Sequence, residues 1–200
     1  MPDTPINSVF EFTPRFLRST NLERDFRAPQ SLDNYVLTDH GRQCLERLAD
    51  GLKPGATARA WRITGDYGSG KSSFALMLAH WVSGGTRGLK GDLGTALAYK
   101  RFKLPSSPRY VPVLVTGSRD PMGRAILRAL VRTMDELYAR GGRSRLVAEI
   151  AAALDSPEKL LDQDVVRWLL ACNAKLIKDA KAKGMLLLLD ELGKFLEYAA

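Results

Sequence analysis

The sequence predicts an α/β fold, a parallel sheet flanked by helices and preceded by an N-terminal linker arm. Three observations carry this expectation. Two short runs, Tyr110-Val-Pro-Val-Leu-Val-Thr116 and Met185-Leu-Leu-Leu-Leu189, are almost wholly apolar, the pattern of strands buried on both faces. Segments of helical periodicity lie between them, and strands that alternate with helices imply right-handed parallel crossovers. A glycine-rich loop, Gly65-Asp-Tyr-Gly-Ser-Gly-Lys-Ser72, stands between a strand-like run and an apolar helical run.

From the N-terminus, Phe10, Phe12, Phe16 and Leu17, with prolines at 2, 5 and 14, predict an irregular arm that docks through aromatic anchors. Asp39 to Leu52 is a helix candidate with Cys44, Leu45, Leu48 and Leu52 on one side and Thr38 as its cap. Residues 1–58 form this arm and linker helix, and residues 59–200 form the core. Arg59 to Thr64 is the strand-like run. Ser73 to Val82 is a mostly buried helix stopped by Gly84-Gly85. In the strand Tyr110–Thr116, Pro112 is expected at the start or in a distorted ladder position. Asp120-Pro121 looks like a cap and first-turn proline. The helix beyond carries Ile126, Leu127, Leu130, Val131, Met134 and Leu137 at helical spacing and is closed by Gly141-Gly142. Leu146 to Leu154 is a short alanine-rich helix, Ser156-Pro157-Glu158 opens another, and Asp164 to Lys183 is a longer amphipathic helix. The leucine strand ends in Asp190-Glu191, and a last helix begins near Leu192.

The loop reads G-x-x-x-x-G-K-[ST], the phosphate-cradling Walker A pattern. Its glycines let the backbone curl until successive N–H groups converge on one anion. Gly65, Asp66, Tyr67, Gly68, Ser69, Gly70, Lys71, Ser72 and Ser73 are therefore the candidate nucleotide-binding residues. Lys71 reaches the β- and γ-phosphates, the Ser72 hydroxyl completes the shell of a Mg²⁺ ion, and the helix that follows adds the positive end of its dipole. Asp190 and Glu191 fall at the carboxyl end of a buried strand, where open α/β sheets bind ligands. Taken alone, the two acids would equally serve to cap the helix after them.

The acidic pair resembles a Walker B element. With a strand inserted between the two motifs, the chain resembles the additional-strand, catalytic-glutamate branch of P-loop ATPases, which includes AAA+ and STAND proteins. The phrases Gly-Asp-Tyr-Gly-Ser-Gly-Lys-Ser-Ser-Phe-Ala-Leu and Leu-Leu-Asp-Glu-Leu-Gly-Lys-Phe-Leu-Glu are similar to large bacterial phage-defence ATPases, including the BREX type. The resemblance spans about residues 55 to 200. It implies ATP and Mg²⁺ as ligands, with Ser72 and Asp190 holding the metal. Lys71 would neutralise developing charge, and Glu191 would polarise the attacking water. Thr116 would restrain Glu191, and Tyr35 to Thr38 would pass near the adenine, though plain packing explains that stretch as well. AAA+ modules continue with a sensor strand, an arginine finger and a helical lid, none of which can be assigned up to Ala200. The sequence is therefore expected to be the first part of a longer protein, truncated before the lid. A nucleotide-dependent switch or oligomeric scaffold with slow hydrolysis uses the same residues. A small-molecule kinase fits less well, because it has no need of the Asp-Glu pair.

No run is long enough to span a bilayer, and Met1-Pro-Asp-Thr-Pro lacks the segments of a secretory signal. Cys44 and Cys172 stand far apart without metal-ligand spacing, as suits a reducing, cytoplasmic setting. Neither His40 nor His80 has a partner in sequence that suggests catalysis. The net charge of +8 invites a nucleic-acid reading. Arg124, Arg128 and Arg132 recur along one helix face, with Arg119 before them and Arg140, Arg143 and Arg145 after. Lys100, Arg101, Lys103 and Arg109 form a second cluster. These cations either contact DNA phosphates, face acidic surfaces of neighbouring subunits in a homo-oligomer or multi-protein assembly, or form a solvated face.

Overall fold

The computed structural model describes residues 18–28, 31–32, 35–84, 109–156 and 160–199. The aromatic anchors at 10–17, the cations Lys100, Arg101 and Lys103, and the helix opening at 157–158 lie outside the described residues. Within them, the chain is a mixed α/β structure of seven helices and one parallel two-stranded sheet.

A short helix, α1 (Leu22–Asp25), is capped by the Asn21 side chain, which accepts from Arg24 N at 3.0 Å. Helix α2 (Asp39–Gly51) starts where Thr38 Oγ1 accepts from Gly41 N at 3.1 Å, and it buries Leu45, Leu48 and Ala49. Helix α3 (Lys71–Val82) is apolar almost all round, and Leu76, Met77, Leu78, Ala79, Trp81 and Val82 are fully buried, as a central helix requires. Strand β1 (Tyr110–Thr116) pairs in parallel with β2 (Gly184–Asp190), in register from Tyr110 opposite Gly184 to Thr116 opposite Asp190. Between them run α4 (Met122–Leu137), α5 (Arg145–Ala153) and α6 (Asp162–Lys178), and α7 (Leu192–Ala199) follows β2.

The two-residue period of the strands divides the core into two layers. Leu114, with Leu186 and Leu188, faces α2, α3 and the Leu22 turn. Val111, Val113 and Val115, with Met185 and Leu187, face α4, α5 and α6. Each buried Leu, Ile or Val side chain contributes about 1.5–3 kcal/mol by leaving water. The helices before residue 58 thus share a core with the loop-bearing helix.

The structure corrects four local expectations. Arg59–Thr64 is not paired as a strand among the described residues and is largely exposed. Its pattern favours extended backbone but cannot supply an edge to pair with, and Trp61 instead packs against Gly51, where a Cβ would come within 2.1 Å of the indole. Pro112 lies in the third position of β1, tolerated because β1 has one strand neighbour among the described residues. Pro121, not Asp120, occupies the cap position of α4 and provides no side-chain bond, because the Asp120 carboxylate is engaged by Arg124 and Arg128. Helix α6 ends at Lys178 rather than near Lys183. There Ala180 takes a left-handed conformation (φ 50°), Lys181 N donates to Leu176 O at 3.0 Å, and Ala180 N donates to Ile177 O at 3.1 Å. This is a Schellman ending built without its usual glycine, which is why the stop is silent in the sequence.

Candidate functional site

The glycine loop leads directly into α3. Gly68 and Gly70 have φ of 79° and 85°, a region that side chains with a Cβ enter only at a cost of about 1–2 kcal/mol. Gly70 is the residue before the helix, and Phe74 N makes the first helical bond, to Gly70 O at 2.9 Å. The amides of Lys71, Ser72 and Ser73 therefore fall in the first turn, where no intrahelical acceptor exists for them. Lys71 Nζ lies over the loop, donating to Gly65 O at 2.8 Å, Asp66 O at 2.7 Å and Ser69 Oγ at 3.4 Å. Ser69 N also closes onto Asp66 O at 3.2 Å. The loop is solvent-facing, and Tyr67 at its tip is fully exposed. Ser73 Oγ lies 3.2 Å from Thr20 Oγ1, so it ties the N-terminal segment to the helix start.

The acidic pair sits at the carboxyl end of β2. Asp190 Oδ1 accepts from Glu191 N at 3.0 Å, while Asp190 Oδ2 is buried without a partner among the described residues. A carboxylate oxygen held this way costs free energy unless something else contacts it, which makes it the candidate for a hydrated cation. Thr116 Oγ1, in register with Asp190, is likewise buried without a partner. Glu191 adopts φ 53°, and its carboxylate pairs with Lys194, one turn along α7. That hydrogen bond raises the Lys194 pKa. The restraint expected from Thr116 on Glu191 is therefore not made: the Thr116 side chain makes no bond to it, and its backbone N–H donates instead to Glu23 Oε1 at 2.9 Å.

Strand pairing brings Thr116, Asp190 and Glu191 together, and α3 packs against both strands. Among the described residues no hydrogen bond joins residues 65–73 to Asp190 or Glu191. No group of three or more His, Cys, Asp and Glu side chains gathers there to cage a metal among the described residues. Magnesium bound through substrate phosphates needs only one or two protein oxygens, so Ser72 and Asp190 fit the group.

Elsewhere, a cavity of about 310 Å³ lies between α1, α4 and the start of β1, lined by Phe26, Arg27, Arg109, Val111 and Lys181 among others, away from the loop. His80 packs on Phe26 at 4.6 Å between ring centres, and burial lowers its pKa. Tyr35 packs against the first core layer, with burial raising its hydroxyl to about 12. Cys172 is buried, its thiol pushed up to about 11, and inert on that account. Much of the basic row is spoken for. Arg124 and Arg128 pair with Asp120, Arg132 with Glu23 at 2.5 Å, and Arg143 with Asp135. Among the described residues Arg119, Arg140 and Arg145 have no ion pair.

Three residues of this region escaped sequence reasoning. Lys194 carried a usable signal, its i+3 spacing from Glu191 on a helix start. Glu23 and Gly117 carried none, because their partners lie far away in the chain. In comparisons with family models, with curated proteins and with solved structures, nothing matches this chain.

Proposed function

We propose that the chain binds ATP with Mg²⁺ and hydrolyses it to ADP and phosphate, as the nucleotide-binding part of a cytoplasmic AAA+/STAND-like P-loop ATPase. The observation that carries this reading is the loop itself: two left-handed glycines, then a helix that starts at Lys71, whose ammonium lies over the loop on the carbonyls of Gly65 and Asp66. That arrangement suits a polyphosphate, since fixed N–H dipoles and one ammonium meet the anion without reorganisation. On binding, Lys71 Nζ exchanges the carbonyls of Gly65 and Asp66 for phosphate oxygens. Ser72 and Asp190 would hold Mg²⁺, which when bound neutralises charge on the phosphates. Glu191, at the strand end, takes the water proton as general base. The placement in a large phage-defence protein rests on sequence resemblance and coupling to DNA on the basic row, whose ion pairs reduce the cations available for phosphate contacts.

One observation favours the slower, switch-like reading. The Glu191 carboxylate is paired with Lys194, which engages one of the two oxygens that could accept from a water.

Steady-state ATP hydrolysis, with and without duplex DNA, tests these readings together. Lys71→Ala should weaken ATP binding by about 1.5–3 kcal/mol, roughly 10- to 150-fold in Kd, from loss of charged hydrogen bonds. Unchanged affinity would remove the phosphate assignment. Glu191→Gln should retain binding and lower kcat by about 10²- to 10⁴-fold. Fast turnover stimulated by DNA would favour a DNA-coupled motor. Slow turnover that Lys194→Ala accelerates would favour the switch.

A further inference from the structure

Gly117 directly follows β1 and is buried. Its N–H donates to Asp190 O at 2.8 Å, one bond beyond the last register pair. A Cβ built on Gly117 would lie 2.2 Å from Glu191 O, 2.9 Å from Glu191 C and 3.1 Å from Glu191 Cβ. Two of these are backbone atoms, so no rotamer change relieves the overlap. Gly117 is not among the residues of positive φ, so glycine is required here for space rather than for conformational freedom.

The atom it abuts is already committed. Glu191 O accepts from Lys194 N at 3.0 Å, and Glu191 N donates to Asp190 Oδ1 at 3.0 Å. With φ at 53°, Glu191 holds a conformation that costs a non-glycine residue about 1–3 kcal/mol and persists only where its surroundings over-determine it. Gly117 is the part of those surroundings supplied by the neighbouring strand.

We propose that Gly117 is a positioning residue, whose missing side chain sets where the Glu191 backbone turns and hence where its carboxylate points. This rests on the reading of Glu191 as the base that activates water. Gly117 touches no reacting atom itself. Any side chain at 117 pushes the Glu191 carbonyl away, rotates the turn and moves the carboxylate off its line of attack, while the glycine loop is left in place.

The test compares Gly117→Ala, Glu191→Gln and the double variant in the full chain, measuring kcat for ATP hydrolysis and, separately, the Kd of a fluorescent ATP analogue. Gly117→Ala should lower kcat by about 100-fold, the cost of misplacing a catalytic group by about 1 Å, with Kd changed less than about 2-fold. In the Glu191→Gln background the same change should lower kcat no further. A Gly117→Ala protein with wild-type kcat, beside an inactive Glu191→Gln, overturns the positioning role alone. Equal turnover in wild type and Glu191→Gln overturns the catalytic reading itself. Loss of kcat and ATP affinity together, or additive losses in the double variant, assigns Gly117 a structural role and overturns the proposal. Should Gly117→Ala fail to fold, amide exchange in the wild-type chain decides. Protection of the Gly117 amide to the level of β1 amides is expected, and an unprotected amide means the contact is not made.

Discussion

The glycine loop and the strand-end turn both place residues in left-handed conformations beside the proposed site, but they do so by opposite means. In the loop, glycines occupy those positions, and the hydrogen bonds that shape it run between residues 65 and 71. At the strand end a glutamate occupies the position, held by Gly117 from 74 residues earlier in the chain. The first is a local device exposed to solvent. The second is strained and exists only because two strands have already paired. A conformation that glycine adopts freely can be written in eight residues, whereas one that glutamate adopts under compulsion needs the fold.

This contrast can be broken in several places. The largest effect is expected at Glu23, which joins α1 to the sheet end by accepting Thr116 N and pairing with Arg132. Glu23→Ala should destabilise the chain by about 2–3 kcal/mol in chemical denaturation, because the part-buried Thr116 N–H loses its acceptor and the half-buried Arg132 guanidinium keeps only Leu114 O. A loss below about 0.5 kcal/mol, the range of ordinary surface changes, would mean that the strand end does not depend on this long-range bond. Gly70→Ala should cost about 1–2 kcal/mol of local strain and reduce ATP affinity, while the exchange protection of β1 and β2 amides stays as it was. Spread of the change into the strands would erase the distinction between local and long-range devices.

Ala180→Gly sharpens the comparison in the other direction. It supplies the glycine that the Schellman ending of α6 lacks and should stabilise by about 1 kcal/mol, read as a higher melting temperature. The smallest effect is one of pH. Asp25 is buried, and its pKa is lowered chiefly by the hydrogen bond from Arg24, with Asn21 N and the Arg18 charge helping and burial opposing. A lowered carboxylate contributes stability that is complete above its unfolded value and lost as pH falls through the folded one. The stability gap between wild type and Asp25→Asn should therefore be constant above about pH 5 and narrow progressively as pH falls below about 4. A gap that does not narrow between about pH 5 and pH 3 would contradict the assigned network.

Much of the architecture was legible. Strand β1 runs over the predicted residues. Helix α2, with its Thr38 cap, and α3 agree to within two residues, because an apolar run or a capping threonine acts over a single turn or strand. The helix stop at Lys178 was not legible, since alanine gives no sign that it will adopt φ 50°. Nor was the fate of Arg59–Thr64, a strand-like run that states a preference for extension and leaves pairing to whatever edge is near. The basic row was legible in part. Spacing placed Arg124, Arg128 and Arg132 on one face, and Asp120 lies four residues before Arg124, but the pairing of Arg132 with Glu23 is set by how α4 and α1 pack on the sheet.

The sequence by itself determined the glycine loop, the apolar strands and the acidic pair at a strand end, because each depends on conformational preferences and burial patterns within a few residues. Only the tertiary structure decided what surrounds the pair. The left-handed turn of Glu191, the Asp190 Oδ2 left without a partner among the described residues and the need for glycine at 117 follow from bringing two strand ends into contact. Contacts across such a distance impose strain, exclude side chains and strip groups of water in ways that no local pattern records.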